Sequence, residues 1–523
     1  VFRITIRAGL DHLYSLFPPP LAPRVRGVWG AVSLALRSRG VWGAVSLALR
    51  SRGVWGAVSL ALRSRGFGGA VPCSLVFITI LNNSNSLQKP NSSSSQITLL
   101  TAICLVIANM IGTGVFTSLG FQVLDIQSGF AILFLWLIGG IFALSGALCY
   151  GELGAAMPRS GGEYHYLSEI YHPVIGFLSG WVSVTVGFAA PIAAAAMALG
   201  KYISSVFPSL NYPIIIALIA VILVSLIHTQ TLKISSVFQQ GFTVLKVVLI
   251  IVFILSGLTL ATPQPIEFMP SFSDISVIFS SSFAVSLVYV TYSYSGWNAA
   301  VYLASEIKEP EKNLPKSLLI GTLIVTVLYL LLNFVFLYTT PIEQLAGQLE
   351  IGYIVAQQIF GNLGAKIMGL LIGFGLISSI SSMVLAGPRV TQVIGEDIPI
   401  FRILAQKNQH GIPYYALCLQ LAIVIILIIT ASFQAVITYL AFTLTLSSLI
   451  TVLGVFVHRF RRPDLPRPYK TWGYPITPII FLGISLWMLI FIFQDKPLES
   501  LAGLGTIALG LPFYFIGIRN KLV

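Results

Sequence analysis

Two short stretches carry the residue types that could hold a small charged molecule. In Ile111-Gly112-Thr113-Gly114-Val115-Phe116, two glycines flank a threonine in the middle of an apolar run beginning at Leu99. Glycine costs roughly 1 kcal/mol against alanine in a helix interior, so the pattern predicts a helix break at bilayer depth. Backbone groups freed there must line a cavity to find partners. Amides at the start of the following half-helix then face an anionic group such as a carboxylate. The competing reading is a packing face, since Gly-x-Gly is common where membrane helices touch. The second stretch, Tyr292-Ser293-Tyr294-Ser295-Gly296-Trp297-Asn298, interrupts a later apolar run with hydroxyls, a glycine and aromatics. Interruptions at corresponding places in two halves of a chain point to a binding site near the membrane midplane. Taken alone, the aromatics read as packing, with tyrosine hydroxyls bonded to neighbouring helices.

A third position, Lys246, lies twelve residues beyond Ile234 in another apolar run. That is roughly 18 Å along a helix rising 1.5 Å per residue, near the middle of a core about 30 Å thick. A charged lysine at that depth costs about 2.5–3.5 kcal/mol on insertion scales, so its side chain must face the protein interior.

The elements that position these groups are apolar. The chain has 523 residues, 56% hydrophobic and 9% charged, with mean hydropathy +0.90. Soluble domains carry about 25% charged residues, so the composition excludes a soluble protein. The net charge of +13 raises nucleic acid as a partner, but the basic residues sit between apolar runs, where topology accounts for them. The partner is the lipid bilayer, and no nucleic acid is expected.

About 20 apolar residues span the hydrocarbon core. Twelve segments qualify, at 98–119, 128–150, 174–200, 212–229, 234–256, 276–304, 314–339, 363–388, 413–430, 433–457, 475–494 and 498–518. Lys and Arg in the loops set orientation. With odd-numbered connections outside, fifteen basic residues lie inside against Lys201 and Lys496 outside. Both termini are therefore expected in the cytoplasm, and the chain is expected in the plasma membrane.

Residues 1–97 differ from the permeating apolar pattern that follows. A 13-residue stretch occurs three times without change, from Gly27, Gly40 and Gly53. No defined fold is expected there, the alternative being a short basic amphipathic helix on a membrane surface. A polar linker, Asn82 to Gln96, follows. Phe17-Pro18-Pro19-Pro20 breaks any signal-peptide apolar core. The two-domain expectation is thus an N-terminal extension, 1–97, and a membrane domain, 98–523.

The motifs resemble the amino acid–polyamine–organocation superfamily of permeases, in particular the L-type amino acid transporters and their bacterial relatives. Residues 111–116 are similar to that family's Ile-Gly-Ser-Gly-Ile-Phe, with Thr113 for serine. Gly151-Glu152-Leu153 with Pro158-Arg159-Ser160-Gly161-Gly162-Glu163-Tyr164 resembles its second-helix end and inner loop, and Tyr294-Ser295-Gly296-Trp297-Asn298 its sixth helix. Gly387-Pro388-Arg389 and the run from Arg462 to Lys470 complete the set, over about residues 96–520.

The resemblance implies an all-α membrane protein of LeuT type, a 5+5 inverted repeat with twelve transmembrane helices. It places a substrate carboxylate on the amides of Gly112, Thr113 and Gly114 beside Ile111. The ammonium falls on carbonyls near Ala108 and of Tyr292, Ser293 and Ser295, next to Gly296. Tyr292 and Trp297 fall at gate positions. Lys246 implies sodium independence and a role in coupling, the alternative being a fixed cation tying the fifth segment to carbonyls of the first and eighth.

Segments 3, 6, 8 and 10 hold no Asp or Glu up to residue 305 of the sixth, so neutral L-amino acids are the expected substrates. Transport would run by alternating access, as exchange or proton symport, with an amino-acid-sensing receptor as the alternative. Glu152, Glu163 and Glu306, at cytoplasmic helix ends, are read as inner-gate ion pairs with Arg159 and Arg389, the alternative being that they merely solvate the helix ends. The loop 201–211 has no cysteine, so no disulfide-linked heavy subunit is expected. No HExxH or Gly-x-Ser-x-Gly occurs, and the four cysteines lack metal spacing. An enzyme, a metal and a cofactor are accordingly not expected.

Overall fold

The computed structural model describes residues 43–51, 54–62, 97–229 and 233–519, and residues 1–92 and 93–523 form two separate units. In the first unit, β1 (Gly43–Ser51) and β2 (Val54–Leu62) pair antiparallel, with Val45 opposite Leu60 and Leu47 opposite Val58. Over these two strands the chain differs from the expectation of no fold or a helix. The repeat puts Val45, Leu47 and Leu49 at every second position, the period of a strand rather than a helix. The linker from Asn82 to Gln96 lies outside the described residues.

The second unit is built of helices. The first span consists of α1 (Leu99–Met110), α2 (Gly114–Thr117) and α3 (Leu119–Gln122), interrupted at 111–113. Then come α4 (Gly129–Ala156), α5 (Glu163–Ile170) and α6 (Pro173–Val182), which runs through a π turn at Ser183–Gly187 into α7 (Ala189–Val206). Next are α8 (Pro213–His228), α9 (Lys233–Leu260), α10 (Phe272–Ile278) and α11 (Ser281–Tyr294). The remaining helices are α12 (Pro310–Thr339), α13 (Ile342–Leu345), α14 (Ile351–Asp397), α15 (Tyr414–Thr430), α16 (Phe433–Arg461), α17 (Ile476–Asp495) and α18 (Pro497–Arg519).

Among the described residues nine helices are long and apolar enough to cross a membrane, and ten if α10 and α11, bent by 69°, form one span. The fourth and ninth expected spans are α8 and α15, of 16 and 17 residues. At 1.5 Å per residue they reach only about 24–26 Å, short of a core about 30 Å thick. The described fold therefore has nine or ten full-length spans plus two short ones.

The interrupted first span is enclosed by α9, α11, α12 and α14, and α12 also packs along α4. Small residues let these helices approach, as membrane interfaces require. A side chain at Gly139 would meet Val290 and Tyr294, and one at Gly146 would meet the Trp297 indole.

At the end of α4, Glu152 is 1% exposed. It accepts hydrogen bonds from Arg459 Nε at 2.8 Å and Nη2 at 2.6 Å, and from the amide and hydroxyl of Thr471, both at 2.7 Å. Its expected pairing with Arg159 or Arg389 is corrected. Arg159 meets Asp397 at 3.1 Å, and Arg389 meets Glu306 at 3.0 Å. Removing one partner of a buried pair costs about 3–5 kcal/mol. Arg459→Ala is therefore expected to lower the Tm of the detergent-solubilised protein by several degrees. Arg462→Ala, whose surface contact with Glu169 is 3.9 Å, should leave that melting curve in place.

Candidate functional site

The first break begins at Ile111, whose ψ of 87° turns the chain out of α1 although its amide still bonds to Ile107 O. The amides of Thr113 and Gly114 donate to no acceptor among the described residues, leaving two hydrogen-bond donors at the start of the second half-span. The carbonyls on the other side of the break are held. Lys246, 5% exposed, places Nζ 2.9 Å from Ile111 O, 2.8 Å from Ser379 Oγ and 3.4 Å from Ala108 O. The Tyr329 hydroxyl lies 2.6 Å from Met110 O and 3.1 Å from Ser293 O. Farther along, the Tyr202 hydroxyl donates to Phe116 O at 2.9 Å and accepts from the Gly352 amide at 3.0 Å.

The second break starts later than its sequence implies. Helix α11 continues through Tyr292 and Ser293 to Tyr294, and the chain departs only at Ser295, with ψ of 145°, and at Gly296, with φ of +98°. Hydroxyls account for the delay. Thr291 Oγ1 donates to Val288 O at 2.9 Å and Ser293 Oγ to Tyr289 O at 2.7 Å, a back-bonding that a helix tolerates. Gly296 is the first residue free to take a positive φ without a Cβ penalty. A short 3₁₀ segment, Ala299–Glu306, follows.

The two breaks touch. A Cβ at Gly296 would lie 2.8 Å from Asn109 C and O, and one at Gly114 would run into Ser293. The Thr113 and Tyr292 hydroxyls bond across the gap at 2.8 Å. Beside that bridge lies a cavity of about 100 Å³, lined by Asn109, Tyr292, Ser295, Gly296, Trp297 and Glu163 among others. Gly112, Thr113 and Gly114 do not line it; Gly112 and Ile111 border a smaller cleft beside Lys246.

The family model for amino acid permeases matches residues 97–506. The chain belongs to the amino acid permease family. It is 30% identical over 448 residues to the b(0,+)-type amino acid transporter 1 of Mus musculus, covering 83% of this chain and 90% of that protein. It is 28% identical over 447 residues to the Homo sapiens protein of the same name, again 83% and 90%. It is 26% identical over 437 residues to the large neutral amino acids transporter small subunit 2 of Mus musculus, 81% of each. The permease is thus a multi-pass integral membrane protein, all-α over the described residues of its second unit and with that family's fold, and a transporter rather than an enzyme.

Within this permease the expected site residues divide into two sets. Tyr292, Ser295, Gly296 and Trp297 face the cavity, while Ile111, Gly112, Thr113 and Gly114 form the opposite lip behind the Tyr292–Thr113 bridge. Three of the four carbonyls expected to receive an ammonium are already engaged. Ala108 O meets Lys246, Tyr292 O accepts the Ser295 amide at 2.9 Å, and Ser293 O meets Tyr329. The Ser295 carbonyl accepts none among the described residues. Trp297 stands edge-on to Tyr150, ring centroids 4.7 Å apart.

Sequence reasoning passed over Tyr329 and Asn109, gave Asn298 no role of its own within the second stretch, and placed Glu163 wrongly. Glu163 makes no ion pair among the described residues; it lines the cavity. The spacing Gly161-Gly162-Glu163 could have indicated this, because two glycines with φ of +115° and +54° turn the chain end back toward the bundle.

Proposed function

We propose that this permease carries neutral L-amino acids across the plasma membrane by alternating access, without sodium, as an exchanger or proton symporter. One observation carries the reading: two interrupted spans meet with unpaired amides at Thr113 and Gly114 on one side and an unpaired carbonyl at Ser295 on the other. A zwitterion needs donors at one end and acceptors at the other, and these backbone groups supply both without burying a full charge. The carboxylate goes to the amides of Gly112, Thr113 and Gly114, and the ammonium to Ser295 O. Tyr292 acts as the gate, because its bond to Thr113 must part before a substrate in the cavity reaches those amides. Trp297 forms the floor on the Glu163 side.

Lys246 fills the space among Ile111 O, Ala108 O and Ser379 Oγ with its own ammonium. A free cation is then unnecessary to hold the break open, which supports sodium independence. Neutral substrates follow because the one carboxylate in the cavity wall, Glu163, is saturated by protein donors. One relative is named for large neutral amino acids. The excess of Lys and Arg in alternate loops supports cytoplasmic termini. That relative is also named as a small subunit; in this chain the loop 201–211 offers no cysteine for a disulfide-linked partner.

The test is counterflow with purified protein in liposomes loaded with one neutral amino acid, against a panel outside. Equal rates in sodium and choline, with neutral substrates ahead of lysine and arginine, are expected. A strong rise with a sodium gradient overturns sodium independence. Binding without counterflow replaces transport with sensing.

A further inference from the structure

We propose that Glu163 is a proton-binding site of the transport cycle. Glu163 is 3% exposed and stands at the start of α5, in the wall of the cavity that holds the second break. Five neutral donors from four elements converge on its carboxylate. Tyr150 Oη of α4 lies at 2.5 Å, Ser179 Oγ of α6 at 3.3 Å, and Asn298 Nδ2, just past the second break, at 3.4 Å. Ser447 and Ser448 Oγ of α16 lie at 2.7 and 3.3 Å. The titratable groups facing it are the phenols of Tyr150, Tyr166 and Tyr302. The nearby arginines are committed elsewhere: Arg159 to Asp397, Arg389 to Glu306, and Arg459 and Arg467 to Glu152.

A carboxylate buried without a counter-charge is expensive to keep ionised, and the composition of this shell matches a group that changes charge. Four of its five donors are hydroxyls, and a hydroxyl can accept as well as donate. When Glu163 binds a proton, its new O–H donates to one of them, and that hydroxyl turns its own hydrogen to a neighbour. Ser179 and Ser447, already 3.0 Å apart, can make such an exchange. A lysine or arginine in their place could not. Nor does the shell leave an open lone pair for a substrate ammonium, since a carboxylate offers about four acceptor sites and five donors occupy them.

The chemistry balances on one bond. An O–H bond forms at Glu163 when the cavity faces the more acidic compartment and breaks when it faces the other, and nothing else is consumed. Asn298 links this event to the substrate. It touches Glu163 and follows Trp297 directly, so occupation of Ser295 and Gly296 moves a donor onto or off the carboxylate.

This inference rests on the permease reading, so the experiment separates the two. Counterflow of a neutral amino acid by wild-type proteoliposomes tests transport itself; its absence refutes that reading. Given counterflow, accumulation is compared with and without an inward acid gradient of one pH unit. One proton per substrate permits up to about tenfold accumulation, since one pH unit is a factor of ten. The wild-type ratio is expected at several-fold, and the Glu163→Gln ratio at one, whatever its absolute rate. A wild-type ratio of one, or an unchanged ratio in Glu163→Gln, overturns the proposal. Infrared difference spectra of the purified protein give a readout independent of transport. A carboxylic-acid C=O band that titrates in the wild type and is missing in Glu163→Gln supports the assignment, and a band that persists in that variant refutes it. Should Glu163→Gln fail to fold, Tyr150→Phe takes its place: the band must move when that hydrogen bond is lost, and a stationary band refutes the proposal.

Discussion

Gly296→Ala should reduce counterflow by at least about 30-fold. Two costs add at this position. A non-glycine residue at the observed φ of +98° loses about 1–2 kcal/mol through the clash of Cβ with its own carbonyl. The same Cβ would sit 2.8 Å from Asn109 C and O, backbone atoms that cannot rotate aside, and overpacking of that kind costs about 1–3 kcal/mol. Each 1.4 kcal/mol is about a factor of ten, so even the lower sum separates the two breaks by an amount that uptake will register. Gly483→Ala in α17, where a Cβ meets nothing within 4 Å, is the matched control and should transport like the parent. Melting curves on both variants show whether the loss belongs to the site or to the fold. A Gly296→Ala protein that transports at the parental rate would mean the breaks need not touch.

Lys246→Met is the second large effect. Methionine is similarly long and unbranched, so the change removes the charged donor while leaving most of the space filled. Hydrogen bonds to charged groups contribute about 1.5–3 kcal/mol, and the ammonium makes close ones to Ile111 O and Ser379 Oγ. Losing them frees the C-terminal carbonyls of α1 and loosens the lip that presents the Thr113 and Gly114 amides. Counterflow is expected to fall by about 30-fold, with the protein still eluting as a single species from size exclusion. Parental rates in Lys246→Met would reduce the lysine to a tolerated passenger. Retention by Lys246→Arg is not expected, because the guanidinium is a planar fork and not a compact point charge.

The sequence made the interruptions visible for a physical reason: either stretch alone reads as helix packing, but two of them at corresponding places in the two halves of the chain point to a midplane site. It could not locate the second one to the residue. The hydroxyls of Thr291 and Ser293 looked like breakers, yet each bonds back within α11 and preserves it, so the departure falls at Ser295 and Gly296. Lys246 was legible as an interior charge because its depth left no other option. Its partners belong to α1 and α14, 135 and 133 positions away, and no local pattern encodes such a distance. Glu163 was misread for the complementary reason. Nearby arginines in the sequence suggested a pair, but the turn at Gly161 and Gly162 aims the carboxylate inward to hydroxyls of α4, α6 and α16. Tyr329 was passed over because a tyrosine in an apolar span has a sufficient bland explanation.

Tyr202 has a mechanical corollary. One phenol oxygen joins α7 to the second half of the first span at Phe116 and to the start of α14 at Gly352. Those three pieces are riveted at a single atom, so the half-span beyond the interruption cannot swing alone. It must drag α7 along or shear that rivet, which leaves the bending to the break at 111–113, where the Thr113 amide is unpaired. The glycine pair is thereby a hinge as well as a cradle, and stiffening it would slow opening even where the ligand still fits.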